Sequence, residues 1–436
     1  MRRNLGGIVL AALCLIAPYA IQAGLAKPKS GAAEKPKYGY AVTVKAADGA
    51  CTGLPLTVKV TAPAWGPRSA SLRDENVGPV PCTVDIRRGA VEVTWILDLP
   101  KGGSRRYDLT LSPKAPSHLP NNGPGVRLKE VCKPGPIDPR TNVPFGLTDA
   151  VEFTIDGKLL TRYHPDRDEP KPYCWPLIGP TGEPITRAYP MAKVQAESTD
   201  HPHHRSLWFA HGDVNGVDFW GESDKAGRIV HREFEVWISG PVMGKLRTKN
   251  DWMASDGTRV CEDVREIRAY RVPRGRLLDY EISIKASDGP VKFGDTKEGT
   301  FGLRLADSMS ITHGEGHILN SEGERDRDAW GKRAEWCDYS GPVADKVVGV
   351  AIFDHPDNLR HPTYWHVRDY GLFAANPFGV RDFTGQPEGE PGAYTLAKGQ
   401  ALTFRYRLYL HEGPADVGEL TALYDQYAHP PQVTVR

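Results

Sequence analysis

Four of the chain's 14 histidines fall within eleven residues, inside the stretch Asp200-His201-Pro202-His203-His204-Arg205-Ser206-Leu207-Trp208-Phe209-Ala210-His211-Gly212-Asp213. Read as extended chain, the two-residue period sets His201, His203, Arg205 and His211 on one face and His204 with Trp208 on the other, unless Pro202 breaks the parity. Three chemistries suit these residues. His201 and His203 form a His-x-His pair that can aim two imidazoles at a divalent metal ion, although Arg205 and Ser206 stand where a cupin would supply a Glu. His203 and His204 can act as general acid or base while Arg205 neutralises an anion or a developing oxyanion. Trp208, Phe209 and Trp220 can stack on the apolar face of a sugar, with His211 and Asp213 among the polar groups that meet its hydroxyls. The competing structural reading is a set of hydrogen-bonded histidines with no chemistry.

A second polar stretch runs from Asp354 to Gly371 and continues in Asn376-Pro377-Phe378-Gly379. An extended Tyr364 to Tyr370 puts Tyr364, His366, Arg368 and Tyr370 on one face, an unusual face for a buried strand. Such a face can hold a carboxylate or a hydroxylated ligand, Arg368 giving two parallel hydrogen bonds, with Asn376 nearby in sequence. A solvated edge strand with paired charges is the simpler alternative. In Lys297-Glu298-Gly299-Thr300-Phe301-Gly302-Leu303-Arg304, Glu298 is the preferred carboxylate for acid or base work, because the surrounding glycines let a ligand approach the backbone. Arg304 is expected to bind substrate; on a straight strand it lies about 20 Å from Glu298.

The elements that must position these groups are strands. The 45 glycines and 37 prolines, about a fifth of the chain, disfavour long helices and suit many turns. Short alternating segments at Tyr40 to Lys45, Leu56 to Thr61, Cys82 to Ile86, Val91 to Leu97 and Arg106 to Leu111 predict a small β-sandwich over residues 38–124. The Pro-, Asn- and Gly-rich Ala115 to Pro124 marks its boundary. Beyond it, Asp156-Gly157 predicts a tight hairpin. Lys245 to Ala254, Arg259 to Tyr270 and Arg276 to Lys285 predict a three-stranded meander, and further strands are expected at Gly302 to Met309, Val347 to Phe353, Tyr364 to Val367 and Leu402 to Leu410. Only Asp416 to Tyr427 has helical spacing, with Val417, Leu420, Leu423 and Tyr424 as its stripe. The expected architecture is all-β: the small sandwich, then a large antiparallel supersandwich over 125–436 whose concave face carries both polar stretches.

Export is expected from the first 26 residues, where Arg2 and Arg3 precede an apolar run from Leu5 to Ala20 and small residues at Ala23 and Ala26 offer a cleavage point. A linker over 27–37 follows. No membrane anchor should remain after cleavage, and the protein is expected to be secreted or periplasmic. The six remaining cysteines, 51, 82, 132, 174, 261 and 337, would then meet an oxidising compartment, with Cys51 and Cys82 the natural bridge in the small domain and inert thiols as the alternative. With 55 Lys and Arg against 54 Asp and Glu, the chain lacks the basic surface a nucleic-acid partner demands.

The polar stretches together resemble an exported bacterial family labelled PmoA or DUF6807. The similar segments are His201-Pro202-His203-His204-Arg205 through His211-Gly212-Asp213-Val214-Asn215-Gly216-Val217-Asp218-Phe219-Trp220, Lys297-Glu298-Gly299, Trp336 to Gly341, Pro362-Thr363-Tyr364-Trp365-His366-Val367-Arg368 and Asn376-Pro377-Phe378-Gly379, within roughly Phe145 to His411. The label refers to methane oxygenase and would imply a metal-dependent oxidoreductase, yet that membrane enzyme needs several apolar spans of ~20 residues, and none follows the leader. At the level of fold alone, a His- and Arg-lined β-sandwich is similar to the supersandwich of sugar mutarotases and polysaccharide lyases. The residues themselves favour an exported carbohydrate-active enzyme, hydrolase or lyase, with a poly- or oligosaccharide substrate. A glycan-binding or cell-surface protein without catalysis is the rival.

Overall fold

A computed structural model describes residues 38–46, 49–115, 123–137, 144–165, 168–386 and 388–436. The expected leader, the linker and most of the boundary stretch lie outside these residues. The small sandwich packs a five-stranded sheet, in the order Gln432–Val435, Tyr38–Lys45, Ser104–Ser112, Ser69–Asp74, Gly78–Val80, on a three-stranded sheet, Cys51–Thr61, Ala90–Leu99, Cys82–Arg87. Alternation drives it: Val91, Val93, Trp95, Leu97 and Leu99 are buried at every second position, and Trp95 meets Tyr107 at 5.2 Å. The strand Gln432–Val435, whose four side chains are all exposed, pairs antiparallel with Tyr38–Lys45, so the sandwich draws on both ends of the described chain.

The large unit is two eight-stranded sheets. One runs Trp365–Val367, Leu372–Ala375, Gly299–Arg304, Leu207–His211, Tyr173–Cys174, Lys158–His164, Pro144–Ile155, Val126–Ile137. The other runs Arg228–Ile238, Met243–Met253, Arg259–Tyr270, Arg276–Lys285, Ala401–Glu412, Lys346–Asp354, Trp336–Val343, His317–Asn320, and all neighbours in both sheets are antiparallel. The expected meander is present, with Leu246, Ile267 and Tyr280 in register and buried. Asp156 and Gly157 turn the expected hairpin with φ of 51° and 78°, the left-handed pair a type I′ turn requires. Aromatic residues fill the space between the sheets: Phe301 stacks on Tyr406 at 4.5 Å, and Phe209 lies against Phe404 and Trp252.

The two units are joined by a buried ammonium. Lys245 reaches Asp85 at 2.8 Å and Glu92 at 2.9 Å, while Thr83 Oγ1 accepts the Met243 N–H at 3.0 Å. Gly240 allows that approach, since a Cβ there would stand 2.2 Å from Thr83 Oγ1. The helix forms as expected over Val417–Ala428, capped by Asp416 accepting the Glu419 N–H at 2.9 Å, with Leu420 and Tyr424 buried. Among the described residues no helix is long and apolar enough to cross a membrane.

The expected Cys51–Cys82 bridge does not form, and all six described cysteines are free. Cys51 pairs with Leu99 and Cys82 with Trp95, on opposite sides of the strand Ala90–Leu99. Two strand spacings of about 4.8 Å, plus the offset along the strand, exceed the ~7 Å that a disulfide spans between Cα atoms.

Candidate functional site

The floor of the site follows from strand parity. On Leu207–His211 and Gly299–Arg304, Phe209 and Phe301 point to the second sheet, so Trp208 and Arg304 point to the opposite face. Trp208 pairs with Gly302, where a Cβ would come within 2.7 Å of the indole, so only glycine lets the ring lie flat across the neighbouring strand.

The stretch before the strand is not extended. Strand begins only at Leu207; His201 and Ser206 have φ of 45° and 60°, and the His204 N–H donates to His201 O at 3.0 Å in a turn. The expected common face of His201, His203, Arg205 and His211 is therefore broken. The turn instead builds a column of rings: Tyr370 on His201 at 5.0 Å and 4°, His201 on His204 at 4.8 Å and 8°, His204 on Trp208 at 5.3 Å and 24°. His203 meets His204 edge-on at 4.5 Å. Residues separated by more than 160 positions thus converge, and Arg304 lies 4.8 Å from the Tyr370 ring centre.

Two charge groups hold this column. Asp200 accepts from His201 Nδ1 at 2.5 Å and Arg304 at 2.8 Å, and it also pairs with Arg187. Burial alone would raise the Asp200 carboxyl, but Arg304, the bond to His201 and Arg187 bring it down to about 2. On the other side, Glu222 takes both Arg205 Nε at 2.7 Å and Arg205 Nη2 at 2.9 Å, and Lys171 at 3.1 Å; Glu169 also pairs with Arg205, at 2.6 Å. Lys171 is fully buried and donates to Trp220 O at 2.6 Å; desolvation lowers its ammonium to about 8. Burial, then the nearby Lys171 and His201, lower His203 to about 4, and burial puts His204 well below its ordinary value. Both imidazoles are neutral at neutral pH.

The second stretch is strand only over Trp365–Val367. His366 Nδ1 accepts the Trp330 Nε1–H at 3.0 Å, and burial, then Arg368, lower its ring to about 3. The neutral ring therefore carries its proton on Nε2. The guanidinium of Arg368 lies 5.6 Å from the Trp330 ring centre and 5.7 Å from that of Tyr370. Tyr364 does not reach the column: it stacks on Phe383 at 5.6 Å under Arg333. Glu298 lies on the loop before Gly299–Arg304, paired with Lys297 at 3.1 Å; desolvation first, and then the charge of Glu298, push the half-buried Tyr370 phenol up to about 12.

Three expected ligand contacts are structural. His211 is fully buried against Phe378 and Phe293, bonded to Gly294 O at 2.8 Å. Asp213 accepts the Gly216 N–H in a turn. Asn376 is buried and binds backbone only, holding Thr296 O and Lys297 O at 3.0 and 2.9 Å, which fixes the loop that carries Glu298. Conversely, Lys171, Arg187, Glu222 and Trp330 escaped sequence reasoning. Lys171 sits in Glu169-Pro170-Lys171-Pro172, which reads as linker, and its partner Glu222 is remote in sequence; only Glu222, two residues beyond the Trp220 that ends the first family-like segment, had a signal.

The donor set does not suit a metal. His201 spends Nδ1 on Asp200 and lies sandwiched between two rings, His203 meets it edge-on at 5.7 Å, and among the described residues no three His, Cys, Asp or Glu side chains are grouped to hold an ion.

A family model described as a family of unknown function, DUF6807, matches residues 150–425. The chain belongs to DUF6807. The DUF6807 span holds every side chain of the cluster, from Glu169 to Tyr370, and leaves out the strands of the small sandwich. No curated protein matches the sequence. Solved structures similar to the chain include a galactose mutarotase-like protein from Lactobacillus casei ATCC 334, at 9% identity and TM-score 0.30, covering 61% of this chain and 98% of that one. Another is galactose 1-epimerase from Lactobacillus acidophilus NCFM, at 8% identity and TM-score 0.29, covering 67% and 100%. At such scores the likeness assigns nothing to the DUF6807 cluster, whose chemistry must be read from its own side chains.

Proposed function

We propose that this protein is an exported carbohydrate-active enzyme, a hydrolase or lyase, working at the imidazole column. The observation that supports it is convergence: His201, His203 and His204 from one stretch, Arg304 from a second, and His366, Arg368 and Tyr370 from a third meet on one face of one sheet. His203, neutral and half-buried, is the proton acceptor. His201 is oriented by Asp200, and its exposed ring passes a proton to or from a sugar oxygen. His366 presents Nε2–H as a donor, and Glu298 is the supporting carboxylate. Tyr370 and Trp330 supply apolar surface for a sugar ring. The oxidoreductase implied by the methane-oxygenase label draws no support from these donors.

Incubation of the purified protein with a panel of poly- and oligosaccharides tests the reading. Product from at least one, lost in His203→Ala and unaffected by EDTA, is expected. Binding that survives both His203→Ala and His366→Ala, with no turnover of any glycan, would instead establish the non-catalytic rival.

A further inference from the structure

The cations of the cluster are matched, except one. Lys171 and Arg205 face Glu222 and Glu169, Arg187 and Arg304 share Asp200, and Lys297 has Glu298. No carboxylate among the described residues pairs with Arg368. Its sequence neighbour Asp369 is taken by Arg327 at 2.8 Å. What Arg368 does touch is aromatic: the rings of Trp330 and Tyr370 approach its guanidinium at 5.6 and 5.7 Å. Ring faces hold a guanidinium through its π surface and leave its N–H edge unspent. That edge matches a planar carboxylate through two parallel hydrogen bonds. Around it the acceptors are committed elsewhere: Asp200 and Glu222 to the other cations, Glu298 to Lys297, and His366 Nδ1 to Trp330.

We propose that the sugar received here is acidic, and that its carboxylate docks on the free edge of Arg368 between Trp330 and Tyr370. This rests on the carbohydrate reading above and narrows it from glycans in general to uronate-bearing ones. The residue type matters as well as the charge. A lysine at this position keeps the charge but loses the fork and the flat stacking surface.

Calorimetric titration with oligogalacturonate and oligoglucuronate, each beside its carboxyl-reduced neutral counterpart, separates the possibilities. The acidic member of a pair is expected to bind about tenfold more tightly or better, a preference that shrinks with added salt. Arg368→Gln should abolish the preference and Arg368→Lys retain only part of it, both checked for native thermal unfolding. Equal or tighter binding of the neutral member by the unmodified protein would overturn the acidic-sugar inference while leaving the carbohydrate reading standing. Binding of neither member of any pair, together with no product from the wider panel, would sink the carbohydrate reading itself, and this inference with it.

Discussion

Asp200→Asn is the most informative single change, because one carboxylate secures His201, Arg187 and Arg304 at once. Its folded value of about 2 lies below the ordinary 3.8. A carboxyl depressed on folding adds stability that is complete above the unfolded value and is lost as pH falls toward the folded one. At ~1.36 kcal/mol per unit the shift corresponds to about 2.4 kcal/mol. The side chain is 39% exposed, so solvent screening trims this to roughly 1–2 kcal/mol. The variant also leaves Arg187 and Arg304, neither exposed to solvent, facing a neutral amide. Stripping one partner from a fully buried pair costs about 3–5 kcal/mol, and the exposed carboxylate places this case nearer ~2–3. Urea unfolding of both proteins should therefore show that deficit near neutral pH, closing as the solution is acidified from 3.8 toward about 2. Equal stability at neutral pH, or a deficit that stays constant in acid, would refute the shared-carboxylate account.

Gly302→Ala forces a methyl to within 2.7 Å of the Trp208 ring and should cost about 1–3 kcal/mol, read as a lowered unfolding midpoint; an unchanged midpoint would show that the indole can move aside. Lys171→Met removes a cation that holds the His203 imidazole down, so the acid limb of the kcat/KM profile should move to higher pH, with no movement if the two groups are uncoupled. The same change should leave stability within about 2 kcal/mol, because a buried ammonium is costly to desolvate and Glu222 keeps Arg205. Alkylation of the native protein should label exposed Cys132 first and reach Cys174, Cys261 and Cys337 only on unfolding. A Cys51–Cys82 disulfide in the mass spectrum would contradict the strand order of the small sandwich.

The sheets were legible where alternation and turn chemistry agree. Val91 to Leu97 alternates cleanly, and Asp156-Gly157 can adopt φ values that few other pairs tolerate. The strand Gln432–Val435 was not legible, because its side chains bury nothing and only backbone pairing to Tyr38–Lys45 defines it. In the site, the two His- and Arg-rich stretches were visible from residue type alone. Their geometry was not: a two-residue period presumes extended chain, and the positive φ at His201 and Ser206 replaces a shared face with a stacked column. Lys171 and Arg187 were invisible for a different reason, since an ion pair to the distant Glu222, or to Asp200 thirteen residues on, leaves no local pattern around either partner.

Access to solvent then divides the cluster by role. His204 and Trp208, the inner rings of the column, and Arg187 and Arg304 are buried, so a ligand cannot touch them without rearranging the column. Their work is to fix the plane and position of what lies above: Trp208 sets the floor, and Arg187 with Arg304 sets Asp200. Asp200 in turn sets the exposed His201 ring. Arg205, chelated by Glu222 and Glu169, is likewise spent on structure and cannot serve as the anion clamp its sequence position suggested. The groups left with open valence toward solvent are His201, His203, Glu298, Tyr370 and Arg368. An acid, a base, a carboxylate, a phenol and one unmatched guanidinium are the groups on which the proposed proton transfer to an acidic sugar rests.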